Sequence, residues 1–236
     1  MSQQRALLIG NSDGIGLAFT EALLRENWSV TGLSRSTVPE GEVAQGSGDY
    51  VHITCDVLDA TYRGQLERAC ETRGPFDVVV HLVGVGYGLK DDNFAREAET
   101  FRTNLISMVE LVEVVFPTFL AAGRGHLIGL SSIADDLLMA DSPSYGASKS
   151  GYSSYLKALG LAYRARGIAV TNVRFGFVDT KMAKGKIRPL MISTAKAVLV
   201  LKRCIAGRPA QSTYPKAAGG AVRVLRWAQN LRIWFA

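Results

Sequence analysis

Cysteine is scarce in this sequence, and so is any long apolar run. The three cysteines, Cys55, Cys70 and Cys204, lack the spacing of a metal or redox motif and leave one thiol unpaired. Reduced thiols in a cytoplasmic protein are the simplest interpretation. No apolar run approaches the roughly 18 residues that cross a membrane, and the first residues lead into an apolar strand without the hydrophobic region of a signal peptide. We therefore expect a cytoplasmic protein without a membrane span.

Acidic residues are missing altogether from the last part of the chain. Residues 181–236 hold 12 Lys and Arg and no acid, whereas residues 1–180 hold 15 Lys and Arg against 21 Asp and Glu, so charges of +12 and −6 sum to the net +6. This asymmetry indicates a basic surface for a phosphorylated cofactor, an acidic carrier or a membrane, or else a surface that balances the acidic body of the protein. The basic residues belong to no recognised nucleic-acid-reading module, so we expect no nucleic-acid partner.

Short apolar runs alternate with helical patterns along the chain. They predict strands at 5–9, 28–33, 50–54, 76–82, 125–130, 168–173 and 211–214, and helices at about 16–24, 59–72, 94–122, 144–166 and 193–206, followed by a helical tail at about 217–236. Residues 36–49 are polar and contain several glycines, which predicts a loop in place of a crossover helix. Strands that alternate with helices form a parallel sheet covered on both faces. We predict one doubly wound α/β domain over residues 1–236, with about seven strands.

A glycine-rich turn lies between the first strand and the first helix. Its sequence is Gly10-Asn11-Ser12-Asp13-Gly14-Ile15-Gly16. Glycines at such a turn let backbone N–H groups approach a pyrophosphate at the start of the helix. The spacing differs from that of the commonest dinucleotide fingerprint, but its place between strand and helix indicates nucleotide binding.

The end of the second strand predicts which dinucleotide is bound. An acid there would accept hydrogen bonds from the adenosine ribose, whereas an arginine accommodates a 2′-phosphate. The sequence has Ser34 and Arg35 and no acid, which favours NADP over NAD. Asp13 is a mild objection, because it adds negative charge to the phosphate-binding turn. Further along, Val83 and Gly84 follow the fourth strand, and a glycine there lets a flat ligand lie close to the backbone.

Tyr145 and Lys149 stand one helical turn apart on the same face of a predicted helix. At a separation of ~4 Å and an effective dielectric of ~20, a lysine charge favours the phenolate by roughly 4 kcal/mol. This is about three pKa units before the opposing cost of desolvating the phenolate. We therefore expect Lys149 to lower the pKa of the phenol toward working pH, which suits proton transfer to a carbonyl oxygen or from a hydroxyl. Asn104 lies inside a long predicted helix and marks either a local irregularity near a site or a solvent-facing position.

Together these pieces resemble the short-chain dehydrogenase/reductase family, strongly over about residues 5–180. The turn at Gly10 to Gly16 looks like the family's cofactor turn, and Cys55-Asp56-Val57 resembles its adenine-contacting acid. Asn104 falls where the family has a helix asparagine. Ser132 lies 13 residues before Tyr145, as the family's catalytic serine does, which favours it over Ser131. The resemblance implies an NAD(P)-binding Rossmann-type fold.

The resemblance also implies catalytic roles. Tyr145 would give a proton to the carbonyl oxygen, Ser132 would hold that oxygen, and Lys149 would lower the phenol's pKa and bind the nicotinamide ribose. Asn104 would hold a water that connects Lys149 to solvent. Val178 and Thr180 would contact the nicotinamide.

Two departures from the family pattern stand out. The usual Asn-Asn-Ala-Gly becomes His81-Leu82-Val83-Gly84, so a polar contact near the adenine is either replaced by His81 or lost. We expect His81 simply to end a strand. The usual proline before Gly176 is Phe175, which affects the nicotinamide turn. Neither change removes the proton-transfer group.

The basic end of the chain has two candidate roles. Lys184, Lys186 and Arg188 are placed to contact cofactor phosphates or an anionic substrate. In the tail, apolar residues recur at helical spacing among arginines, at Val222, Leu225, Ala228, Leu231 and Trp234. Such a basic amphipathic helix binds a membrane surface, or packs on the domain or on a dimer partner, which is the more frequent case.

The sequence thus predicts an NADP-preferring oxidoreductase that interconverts an alcohol and a ketone, aldehyde or 3-oxoacyl group on a small or lipid-like substrate. One alternative is a reductase for acyl chains on an acidic carrier or coenzyme A, received by the basic C-terminal region. Another is an NADP-binding regulator without chemistry. The family resemblance implies a homodimer or homotetramer.

Overall fold

The computed structural model describes residues 3–38, 43, 48–90, 94–183 and 188–234. The strands are β1 Arg5–Ile9, β2 Ser29–Ser34, β3 Tyr50–Thr54, β4 Val78–His81, β5 Gly125–Ser132, β6 Ile168–Phe175 and β7 Gln211–Tyr214. The helices are α1 Gly14–Arg25, α2 Tyr62–Arg73, α3 Ala95–Phe101, α4 Ser107–Ala122, α5 Pro143–Tyr163, α6 Thr194–Gly207 and α7 Lys216–Trp234. A π-helical turn, Arg102–Ile106, joins α3 to α4, and 3₁₀ turns lie at Ile133–Asp136 and Arg164–Arg166.

The strands form one seven-stranded sheet in the order β3-β2-β1-β4-β5-β6-β7, and each pair is parallel. The strand order reverses between β1 and β4, which are hydrogen-bonded neighbours. In sheets of this kind the ligand crevice opens at the carboxyl ends of the strands, where the order reverses. The predicted doubly wound α/β fold is confirmed.

Alternate residues of each strand face opposite sides of the sheet, so the central strands contribute to two hydrophobic cores. Leu8, Val30 and Val80 lie in the core that includes residues of α1 and α6. Leu7 and Val79 lie in the other core, which includes residues of α2, α4 and α5. Strands buried on both faces explain why their sequences are apolar runs rather than alternating patterns.

Within the described part of the chain, one helical segment, Ala95–Ala122, is long and apolar enough to cross a membrane by length and composition. Its residues Met108, Leu111 and Val115 are buried in the core beside α2 and α5. Packing on the sheet therefore explains the apolar character of this helix. The expected irregularity at Asn104 is confirmed, because the residue lies in the π-helical turn.

Two strands extend beyond their predicted ends. β5 and β6 were expected to end at Leu130 and Val173 but continue to Ser132 and Phe175, paired with each other over their full length. The extension places Ser132 at the strand end that faces the crevice. The predicted loop at 36–49 falls largely outside the described residues, as do Lys184 and Lys186.

The tail is helical from Lys216 to Trp234, close to the predicted span. Of its predicted apolar stripe, only Val222 is buried, whereas Leu225, Ala228, Leu231 and Trp234 are exposed. Packing of this stripe on the domain is therefore wrong, whereas packing on a dimer partner, the other half of the favoured interpretation, stays a prediction. The reason is geometric: α7 contacts the domain through another face, and the stripe is turned away from it.

Candidate active site

A cleft of about 250 Å³ opens at the carboxyl ends of the central strands. Thirteen of the predicted cofactor-binding residues line it: Gly10, Ser12, Asp13, Gly14, Ile15, Gly16, Ser34, Arg35, Asp56, Val57, Val83, Gly84 and Thr180. The other three, Tyr145, Lys149 and Val178, do not line the cleft. Val178 is buried and pairs with Ile192 in an isolated β-bridge. This bridge fixes the turn that follows Phe175, where the family proline is missing. Lys181, Met182 and Glu99 also line the cleft and were not predicted.

The glycine turn has no room for side chains. Gly10 and Gly14 have φ angles of +89° and +51°, which favour glycine. A Cβ atom at Gly14 would lie 3.0 Å from the Thr180 methyl group, and one at Gly16 would lie 2.0 Å from the Gly10 carbonyl oxygen. The turn therefore needs glycine for its conformation and for the close approach of α1 to β1. The same features leave the backbone open at the start of α1, which fits the pyrophosphate of a dinucleotide.

Asp13 has a partner across the cleft that offsets its charge. Its Oδ1 accepts a hydrogen bond of 2.6 Å from the Gly14 amide, as the N-cap of α1. Lys181 Nζ lies 3.0 Å from Asp13 Oδ2, and the lysine hydrogen bond lowers the pKa of the carboxyl. The sequence-based objection to a phosphorylated cofactor is therefore weakened, because Lys181 brings a positive charge to the same turn.

Tyr145 lies in the first turn of α5, which begins at Pro143. The residue as a whole is half-buried, whereas its hydroxyl is buried and hydrogen-bonded to Ser132 at the end of β5. The Ser132 hydroxyl also accepts a 3.1 Å hydrogen bond from the Ala134 amide, which fixes its position. The segment after β4 passes over the tyrosine ring, since a Cβ atom at Gly86 would lie 3.3 Å from Tyr145 Cδ2. The structure thus brings the two predicted proton-handling residues together.

Lys149 is buried one helical turn further on. Its Nζ donates a 2.9 Å hydrogen bond to the Leu130 carbonyl, and burial lowers its pKa to about 8. A Cβ atom at Gly84 would lie 3.3 Å from this Nζ. Gly84 lines the cleft, so the ammonium group lies just behind the cleft wall.

The pKa of Tyr145 differs from the sequence prediction. Burial raises it, the hydrogen bond with Ser132 partly offsets this, and the nearby Asp135 carboxylate raises it further. The predicted lowering by Lys149 is therefore wrong for this structure. The physical reason is that the phenolate would lose hydration in the buried site, while the Lys149 ammonium is bonded to the Leu130 carbonyl. The phenol is accordingly a protonated donor at neutral pH.

Asn104 uses its side-chain amide within the protein. Its Oδ1 accepts from the Val85 amide at 2.7 Å, and its Nδ2 donates to the Val85 carbonyl at 2.9 Å and to Ser148 Oγ at 3.0 Å. The π-helical turn places the side chain for these contacts. Asn104 therefore fixes the segment after β4, including Gly84, against α5. A role in holding water stays a prediction.

His81 ends β4, as predicted, but does not line the cleft. Its ring is buried, with Nε2 3.0 Å from Ser107 Oγ and Nδ1 3.2 Å from the Tyr152 hydroxyl. Burial and the positive charge of Lys149 lower its pKa to about 3. The idea that His81 replaces an adenine contact is therefore wrong, because the strand directs its side chain into the core between α4 and α5.

A buried ion pair behind Ser132 was not predicted from the sequence. Arg174 Nε lies 2.9 Å from both Asp135 carboxylate oxygens, and its Nη2 also bonds to Asp136. Ser131 donates to Asp135 at 3.2 Å, so Ser131 belongs to this network while Ser132 meets Tyr145. An arginine within an apolar strand, together with two aspartates just after Ser132, was the available signal.

This arrangement of cleft, phenol and ammonium defines a class of nucleotide-dependent oxidoreductase, and the sequence comparison agrees. The family model described as short chain dehydrogenase matches residues 4–189, and the chain belongs to that family. The match covers the cofactor turn, the Tyr145 and Lys149 pair and all strands except β7.

Individual relatives share about a quarter of the sequence. A ketoacyl reductase of Nostoc is 27% identical over 84% of this chain and 73% of its own. An uncharacterized oxidoreductase of Myxococcus xanthus is 28% identical over 91% of this chain and 88% of its own. The 3-oxoacyl-(acyl-carrier-protein) reductase of Salmonella typhimurium is 28% identical over 76% of this chain and 75% of its own.

Solved structures show the same fold. A short-chain dehydrogenase from Streptomyces avermitilis superposes with a TM-score of 0.83 at 19% identity, covering 98% of this chain and 95% of its own. The actinorhodin polyketide ketoreductase, solved with NADPH, gives a TM-score of 0.81 at 23% identity, covering 92% of this chain and 97% of its own.

Proposed function

We propose that this protein is an NADP-preferring oxidoreductase that interconverts a carbonyl compound and an alcohol. The observation that carries the proposal is the Tyr145 phenol, kept protonated by burial, hydrogen-bonded to Ser132 and covered by the segment after β4. A protonated phenol beside a serine hydroxyl is suited to bind and protonate a carbonyl oxygen.

Ser132, Tyr145 and Lys149 have separate roles in the proposed reduction of the carbonyl group. A bound NADPH would supply the hydride to the carbonyl carbon. Ser132 orients the carbonyl oxygen, and Tyr145 gives it a proton as negative charge develops there. Lys149, held by the Leu130 carbonyl, places a positive charge behind Gly84 that stabilises this charge. Thr180 and the glycine turn would hold the cofactor from the other side of the cleft.

The NADP preference rests on Arg35. This arginine lines the cleft just after β2, beside Ser34, and is exposed enough to turn toward a 2′-phosphate. A guanidinium binds a phosphate through charge-assisted hydrogen bonds, whereas the ribose hydroxyls of NAD would need an acid at this position. Lys181 adds a second positive charge at the phosphate-binding turn.

The substrate is a ketone, an aldehyde or a 3-oxoacyl group, small or lipid-like. The second candidate within this reaction is an acyl chain on an acidic carrier or coenzyme A. It is supported by the similarity to a ketoacyl reductase of Nostoc and a 3-oxoacyl-(acyl-carrier-protein) reductase of Salmonella, and by the absence of acids from residues 181–236. By analogy with such relatives we propose a cytoplasmic homodimer or homotetramer.

The test is a reduction assay on the purified full chain. NADPH consumption is measured with a small ketone, a long-chain aldehyde and a 3-oxoacyl thioester, and each assay is repeated with NADH. We expect turnover with at least one carbonyl compound and a preference for NADPH. Tight NADPH binding with no reduction of any compound would support a regulator instead, and faster turnover with NADH would overturn the NADP preference.

A further inference from the structure

The C-terminal helix α7 carries a row of exposed apolar side chains. Val224, Trp227, Leu231 and Trp234 are 67%, 65%, 39% and 85% exposed. Their spacing of three and four residues puts them on one face of the helix, along about three turns. We call these four residues the α7 stripe. Exposed tryptophans in a continuous apolar row mark a binding surface rather than scattered surface residues.

The opposite face of α7 fixes the direction of the stripe. Val222 is buried, and the Gln229 side chain bonds to both backbone groups of Leu138, accepting from its N–H at 3.0 Å and donating to its carbonyl at 2.8 Å. These contacts hold the helix against the segment that follows the 3₁₀ turn after Ser132. The stripe therefore points away from the protein and is not covered by the described part of the chain.

The charge of the C-terminal region indicates what kind of partner binds the α7 stripe. α7 contains four basic residues and no acid, and residues 181–236 contain 12 basic residues and no acid. A second copy pairing through the same helix would bring like charges together. An anionic lipid surface is complementary to both properties: it attracts the basic residues, and its headgroup region accommodates tryptophan side chains.

We propose that α7 docks this protein on an anionic phospholipid membrane through the α7 stripe. Helix α7 itself lies next to the active-site segment, because Gln229 on its inner face holds Leu138, six residues after Ser132. Two further exposed apolar residues, Met182 and Met191, follow β6, and Met182 lines the cleft. Resting on the proposed function, this placement indicates a lipid-like carbonyl substrate taken from the bilayer.

The membrane test uses vesicles and the protein's own tryptophans. Trp28 is buried, and the other two tryptophans, Trp227 and Trp234, belong to the α7 stripe. Phosphatidylglycerol-containing vesicles should therefore shift the fluorescence to the blue, and brominated lipids should quench it. In cosedimentation, far less protein should bind to phosphatidylcholine vesicles than to the phosphatidylglycerol-containing vesicles. Added salt should weaken binding to the anionic vesicles.

Matched variants distinguish binding through the α7 stripe from binding through any exposed apolar residue. Trp227→Ser with Trp234→Ser should lose about tenfold or more in vesicle partitioning, because most of the apolar area of the stripe is removed. Leu161→Ser is the control, since Leu161 is 86% exposed on α5, away from the stripe. NADPH binding checks that each variant is folded.

Three results would overturn the proposal: no binding to anionic vesicles, equal binding by the double variant, or equal binding to neutral vesicles. A dimer detected by light scattering and lost in the double variant would assign the stripe to a second copy instead. Reduction of a water-soluble carbonyl compound without vesicles is measured in parallel. Failure of docking with that activity intact would leave the proposed function standing.

Discussion

The buried ammonium group of Lys149 predicts a particular dependence of activity on pH. Burial lowers its pKa from 10.5 to about 8. The group is therefore charged below about pH 8 and neutral above it, with about nine tenths charged at pH 7 and about one tenth at pH 9. Because only the charged form stabilises negative charge on the carbonyl oxygen, kcat/KM for reduction should fall about tenfold per pH unit above pH 8.

The assay is kcat/KM for the carbonyl substrate at saturating NADPH, measured from about pH 6 to pH 10. This parameter follows the ionisation of the enzyme form that meets the substrate. The pKa of Tyr145 is raised above its usual value, so the first alkaline decrease belongs to Lys149. Lys149→Arg is the matched variant, because its guanidinium stays charged and should abolish the decrease near pH 8, even at a lower absolute rate. A wild-type profile that is flat to pH 10, or an unchanged decrease in the variant, would refute the reasoning.

Three further predictions concern the cofactor and the fold. Arg35→Ser should weaken NADPH binding by about 1.5–3 kcal/mol, because a charged hydrogen bond to phosphate is lost, and should leave NADH binding nearly unchanged in parallel titrations; an equal loss for both would contradict it. His81→Asn should reduce the decrease in the free energy of unfolding that occurs as the pH falls below 6.5. The His81 pKa is about 3 when folded and about 6.5 when unfolded, so stability falls as pH drops from 6.5, by about 2 kcal/mol at pH 5. Urea unfolding at pH 7 and pH 5 measures this, and an unchanged difference between the two would count against it. Arg174→Met should lower the free energy of unfolding by about 3–5 kcal/mol, because it leaves the buried Asp135 carboxylate unpaired. The control Arg63→Met removes two exposed ion pairs, with Glu67 and Glu113, and should cost about 1 kcal/mol or less; similar losses in both variants would show that burial of the Arg174 pair is not decisive.

The fold could be predicted from the sequence because short segments of the chain specify its strands, helices and turns. β3 and β7 have the predicted bounds, Tyr50–Thr54 and Gln211–Tyr214, and the glycine turn lies where its pattern indicated. Apolar runs bounded by glycines and polar residues specify buried strands, and their alternation with helices specifies a parallel sheet. The ends of β5 and β6 were predicted two residues short, since Ser131, Ser132 and Arg174 are polar residues that remain in the sheet through tertiary contacts.

The site was partly predictable for a related reason. Tyr145, Lys149 and Ser132 are tied by fixed spacing, and the structure brings Tyr145 to Ser132 and Lys149 to the cleft wall at Gly84. The pKa of the phenol was not predictable, because spacing reports the charge of Lys149 but not the burial that opposes it.

Contacts between distant segments were not predictable either. The Lys181 contact with Asp13 joins segments far apart in sequence, as does the Arg174 pair with Asp135. Such contacts depend on how the sheet brings loops together. The exposure of the α7 stripe was unpredictable for the same reason. Sequence periodicity defines a face of a helix but does not show whether other parts of the protein cover that face.

The most direct test of the central claim is hydride transfer in the Tyr145→Phe variant. NADPH oxidation is followed in a single turnover with the best carbonyl substrate found for the wild type, and NADPH affinity is measured separately. The variant keeps the ring that packs beneath Gly86 but lacks the hydroxyl. We predict a rate lower by about 10²–10⁴ with nearly unchanged NADPH affinity, as expected for loss of a general acid. A rate within a few-fold of wild type would show that another group protonates the carbonyl oxygen.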